Sequence, residues 1–162
     1  MENKNNESIE GLREKYEMFV LEMDDSLEKF IHSIEQLKNQ ELLPLDYSWE
    51  SLNRIESICD YYLEGKILTD DTLELFRTRI ARYLGETLRK HMGGIWTFCD
   101  NPKDFAYGFP ELGKIENMNP EYAYNPFDTF NIYKIRRKKG LIKRAVESHL
   151  DYTLDKIKID KK

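Results

Sequence analysis

The chain has little of what most catalytic and metal sites are built from. It holds two cysteines and three histidines in 162 residues. Cys59 and Cys99 lie far apart with no Cys-x-x-Cys pair. They read as buried free thiols, and a disulfide is not expected in a reducing cytosol. His32, His91 and His149 are scattered, and none has another His or Cys at metal-ligand spacing. No Ser or Cys stands in a recognisable nucleophile context, and no spacing pairs two carboxylates for acid–base work. Met92-Gly93-Gly94-Ile95 is too short for a phosphate loop and lies at the wrong end of a helix. The chain therefore reads as non-enzymatic, with no cofactor expected. No apolar run approaches the roughly 18 residues needed to span a bilayer. The first residues show neither the basic nor the apolar region of a secretory leader. The expectation is a soluble, cytoplasmic protein with no membrane partner.

What is present is a core's worth of apolar residues, at 40%, with 12% aromatics that argue against disorder. Net charge is −5, unevenly spread. Residues 1–60 carry 15 acids and 6 bases, whereas residues 121–162 carry 6 acids and 11 bases. Such segregation steers a partner or joins the two ends of one chain.

The most coherent local signals run from Glu74 to Phe98. Leu73, Phe76, Ile80, Leu84 and Leu88 step by three or four, which marks one face of an amphipathic helix. Thr69, Asp70 and Asp71 cap its start, and Arg89, Lys90 and His91 suit the negative end of its dipole. Gly93 or Gly94 ends it, and Ile95 to Cys99 then reads as a strand. Gly85 sits inside this helix at a cost of about 1 kcal/mol relative to Ala. Close approach of another backbone or a bulky ring would compensate. Glu86 either pairs on the surface with Arg82 or Lys90, or lines a cleft half-buried beside Trp96.

Upstream, apolar residues from Ile9 to Leu37 form a heptad-like stripe, as one helix or as two broken near Asp24-Asp25-Ser26. The stripe packs on the body of the domain, or it pairs with a partner helix or a second copy. Pro44 keeps the next connector non-helical, and Asp46 or Ser48 caps a helix using Leu52, Ile55, Ile58, Cys59 and Tyr62. Downstream, Phe105 to Pro110 and Leu112 to Ile115 can each hold a short strand, while Asn117 to Pro126 reads as loop. Pro126 opens a helix, Gly140 divides it from the last one, and the run 134–144 is basic at seven of eleven positions. That run is expected to be a solvated helix end or to pair with the acidic N-terminal helix. The acidic total and the missing groove-reading motif argue against nucleic acid. The fold class is α+β, predominantly helical, with a two- or three-stranded antiparallel sheet between residues 94 and 116. The chain reads as one domain, a helical arm at 1–41 packed on a body at 42–162.

Two stretches carry a resemblance. Leu45-Asp46-Tyr47-Ser48 with Ser51-Leu52 is similar to an L-D-Y-S-x-x-S-L helix opening. Tyr83-Leu84-Gly85-Glu86 with Gly93-Gly94 and Trp96 resembles a Y-x-G-E…G-G-x-W signature. Together with Asn125-Pro126-Phe127 they resemble small uncharacterised bacterial proteins, some of them similar to immunity proteins of polymorphic toxin systems. The resemblance spans roughly residues 42–135 and brings no catalytic residues. It implies a protein partner, such as a cognate toxin. Contact residues are then expected among Glu86, Trp96, Tyr107 and Phe109, and on the acidic helical face at Asp24 and Asp25. The alternatives are an enzyme or small-ligand protein with a cleft at Glu86, Trp96 and Tyr107, and a homodimer built on the Ile9–Leu37 stripe.

Overall fold

The computed structural model describes residues 7–65 and 68–149. In chain order the elements are α1 (Ile9–Leu21), α2 (Met23–Glu35), a 3-10 turn (Gln40–Leu42), α3 (Ser51–Glu64), α4 (Asp70–Met92), β1 (Ile95–Phe98), β2 (Pro110–Gly113), β3 (Ala123–Tyr124) and α5 (Pro126–Arg136). A sixth helix, α6, covers residues 141–149. The fold is α+β and predominantly helical, as its patterning implies. Residues 1–6, Ile67 and the apolar positions Leu150, Leu154 and Ile157 expected in the last helix lie outside the described residues.

Helix α4 is the hub. Thr69 and Thr72 exchange a reciprocal capping box at its start, and Gly93 and Gly94 leave its end at φ 69° and 113°. The helix is not simply amphipathic: every residue from Ile80 to Leu88 is buried. Helices α2 and α5 and strand β2 all pack against it. Enclosure on all sides makes a two-faced pattern unnecessary. Arg82, Glu86 and Thr87 are buried there with apolar neighbours, and each finds a bonding partner.

The stripe of the N-terminal arm breaks into two helices at Glu22, just before the acidic pair, not at it. Phe19, Met23, Leu27, Phe30 and Ile34 reach the core, with α2 on α4 and α1 on β1. Arg82 explains why the break is stable. Its Nε and Nη2 donate to the Phe19 carbonyl at 3.3 and 3.1 Å, and its Nη1 donates to Ser26 Oγ at 2.7 Å. Phe19 lies in the last turn of α1, where carbonyls lack intrahelical partners.

The sheet is antiparallel in the order β1-β2-β3. Trp96, Leu112 and Tyr124 stand in one row across it, and all three are buried. Two expectations need correction. Residues 105–109 are turns, because Asn101 and Asp104 side chains take the amides of Lys103 and Ala106, and Gly108 bends at φ 78°. The third strand is Ala123–Tyr124, inside the stretch read as loop and beyond the expected window. Its partner is Leu112-Gly113, a pairing that no local pattern encodes.

The basic run also departs from expectation: it pairs with α3, not with the first helices. Arg137 holds Asp60 at 2.8 Å and Glu64 at 2.9 Å, and Lys143 pairs with Glu50. The buried Glu56 accepts from the amides of Gly140 at 2.7 Å and Ile142 at 2.6 Å. One helix thus caps amides at the start of another that have no partner within their own helix. No helix among the described residues is long and apolar enough to cross a membrane.

Candidate functional site

The two stretches that carry the resemblance interlock inside the molecule. Tyr83 Oη donates to Ser51 Oγ at 2.8 Å and accepts from the Tyr47 amide at 2.9 Å, while the two tyrosine rings stack at 4.7 Å. Asp46 accepts from the Ser48 amide and hydroxyl, and Ser48 in turn holds the Ser51 amide, so local bonds hold the helix opening that Tyr83 engages. Burial pushes the Tyr83 phenol up to about 12, against the lowering effect of its Ser51 and Tyr47 bonds.

Gly85 admits a ring, as its position in a helix implies. A Cβ there would lie 2.1 Å from Trp96 Cη2. The same indole donates its Nε1–H to Glu86 Oε1 at 2.7 Å. Arg89 completes the site with bonds of 2.7 and 2.8 Å to the two carboxylate oxygens. Burial alone would raise the Glu86 carboxyl, but bonds from Arg89 and Trp96 hold it below the usual range. Neither expected ion-pair partner is the one used. Arg82 is committed to α1, and Lys90 lies over the Tyr47 ring at 4.8 Å. Trp96 also fixes the arm: its carbonyl accepts from Tyr16 Oη at 2.6 Å, and its ring meets Phe19 edge-on at 5.1 Å.

The six expected contact residues fall in three places. Glu86 and Trp96 are interior, 4% and 9% exposed, so they present no surface to a partner. They face each other across the Gly85 contact and line neither the groove beside α1 and α4 nor the one along α2. Asp24 and Asp25 are exposed in the first turn of α2, along a second groove shared with Glu28, Glu35 and Tyr47. Tyr107 and Phe109 line a groove of about 620 Å³ between α1, α4 and the loop before β2.

This third location is the best-formed surface. Leu12, Tyr16 and Phe19 of α1 form one wall, Tyr107 and Phe109 another, and Phe127 closes the floor. Arg77 of α4 is seated between aromatic rings, its guanidinium 5.4 Å from the centre of Phe109 and 5.3 Å from that of Phe127. Glu74 pairs with it at 2.7 Å. Glu7, Glu14, Glu22 and Glu74 line the groove with Lys15, Arg77 and Arg82; Lys15 pairs with Glu7, and Arg82 with Glu22 at 3.6 Å. Met18 adds an apolar residue at the edge, 48% exposed. Leu12, Tyr16, Phe19 and Arg77 were not singled out as contact residues. The stripe that carries the first three reads equally well as core, and only the tertiary fold separates its wall from its buried half.

No family model, curated protein or solved structure matches this chain.

Proposed function

We propose that this protein is a non-enzymatic, cytoplasmic protein-binding module whose partner is a basic protein. An immunity-type inhibitor of a bacterial toxin is the class that the Tyr83–Trp96 resemblance implies. The carrying observation is the groove between α1, α4 and the loop before β2, with aromatic walls inside a carboxylate rim. Buried aromatic contacts supply affinity, and rim charges supply partner choice and association rate. The exposed face of α1 and α2 extends the same field: residues 9–35 carry eight acids and three bases. The charged groups drawn inside, Glu56, Arg82 and Glu86, are spent on holding helices and sheet together. Two free thiols, Cys59 and Cys99, fit a reducing compartment.

The test is capture from the native cell with the tagged chain as bait, alongside Glu14→Lys/Glu17→Lys on the exposed face of α1. The expected result is one basic protein in stoichiometric amount, lost on charge reversal and released as salt rises. No stoichiometric partner under any growth condition, or capture indifferent to both reversal and salt, would overturn the reading.

A further inference from the structure

We propose that the loop between β1 and β2 is the anchor of that docking surface: Phe105 enters an apolar pocket of the basic partner while Asp100, Asp104, Glu111 and Asp128 face its cationic groups. This rests on the reading of the protein as a protein-binding module and adds to it a place and a lead residue.

Phe105 has 102% relative exposure, so the whole ring stands in water. The loop that carries it is not slack. Asn101 Oδ1 takes the Lys103 amide at 3.1 Å and Asp104 Oδ1 takes the Ala106 amide at 2.8 Å. Cys99 and the loop's far end close it, through Gly108 N to Cys99 O at 2.7 Å and Cys99 N to Phe109 O at 3.1 Å. A ring held out in this way loses little freedom on binding, which is what a preorganised anchor requires. Two residues on, Tyr107 lines the groove described above, so anchor and groove belong to one surface.

The charges around the loop select the occupant. From Cys99 to Leu112 the chain carries Asp100, Asp104 and Glu111 against one base, Lys103. Burial raises the Glu111 carboxyl, and the fields of Asp104 and Asp100 raise it further. Burial and Asp104 likewise raise Asp128 of α5. Asp104 lies in the field of both Glu111 and Asp128, and Asp100 in that of Glu111, and this acidic cluster favours a cationic partner and disfavours nucleic acid and anionic lipid. It also disfavours a second copy, which would bring this acidic loop against an acidic groove rim.

Because Phe105 touches solvent alone, its replacement leaves the fold intact and tests the anchor cleanly. The probe is an amphipathic Lys/Leu peptide, with a Glu/Leu counterpart, titrated into the full isotope-labelled chain and read by backbone amide shifts. The expected result is Lys/Leu shifts centred on residues 101–109 and the groove, with about tenfold weaker binding by Phe105→Ser. Equal binding by wild type and Phe105→Ser overturns the anchor. Shifts confined to the Asp24–Glu35 face overturn it too, yet leave the basic-partner reading standing. Equal binding of the Glu/Leu peptide overturns both, and no shift at the loop with either peptide overturns the anchor.

Discussion

At position 85 one methyl group decides whether Trp96 can reach Glu86. Gly85→Ala sets a Cβ 2.1 Å from the indole, so the ring must leave the groove it fills in α4. Overpacking of this kind costs about 1–3 kcal/mol, and here the displaced ring also gives up the Glu86 bond, worth about another 1.5 kcal/mol. Urea unfolding should show a loss at the upper end of that range. A midpoint within error of wild type would mean that the ring has another seat. The glycine was legible in the sequence because a helix interior with an unexplained Gly demands a close neighbour. The partner of Glu86 was not legible. Three guanidinium or ammonium groups lie within one turn of it, and Trp96, ten residues away, fixes the carboxylate where only Arg89 reaches both oxygens.

Among the elements, the capping of α6 by Glu56 is one of the least local contacts, spanning 84 and 86 residues. That carboxylate is 5% exposed and holds two amides at the start of the last helix. Glu56→Ala should cost about 1–3 kcal/mol by leaving both amides buried without an acceptor. Amide exchange in residues 141–149 should accelerate well beyond that of α4. Equal acceleration across the chain would show instead that α6 and the core open as one. Helix ends were readable from Thr69, Gly93, Pro126 and Gly140 because caps act within a few residues. The cap on α6 and the strand Ala123–Tyr124 were not, since each takes its partner from a distant segment. The break at Glu22 falls between these cases: acids mark the neighbourhood, but Arg82 sets the position.

For the molecule as a whole, opposing carboxyl shifts set the pH response. Glu111 and Asp128 have folded pKa values raised above their unfolded ones, through burial and then neighbouring acids. Their contribution is fully present below the unfolded values and is lost as pH rises through the folded ones. Glu86 is the reverse. Its folded value is depressed, so its contribution is present above its unfolded value of about 4.3 and is lost as pH falls through the folded one. Glu111 and Asp128 should therefore add stability as pH falls through their raised folded values, while Glu86, and the half-buried His149 whose value burial lowers, should subtract it as pH falls through theirs. Urea midpoints across pH check this: Glu111→Gln should reduce the gain, and Glu86→Gln should blunt the acid loss. A Glu111→Gln or Glu86→Gln curve parallel to wild type across the acidic range would refute the assignment of that residue. The charge segregation behind the proposed acidic docking face was visible in the sequence as 15 acids in the first 60 residues. The groove beside it was not, because its walls come from α1, α4 and a loop far apart along the chain.

Glu56 has one more consequence, in the order of manufacture. The amides it binds lie 84 and 86 residues later in the chain. On the ribosome α3 is therefore complete long before its buried carboxylate has anything to hold. A product cut short before Gly140 has the Glu56 carboxyl without the two amides that meet it in the full chain. Until α6 is made, that site lacks its partners, and the arrival of α6 supplies them.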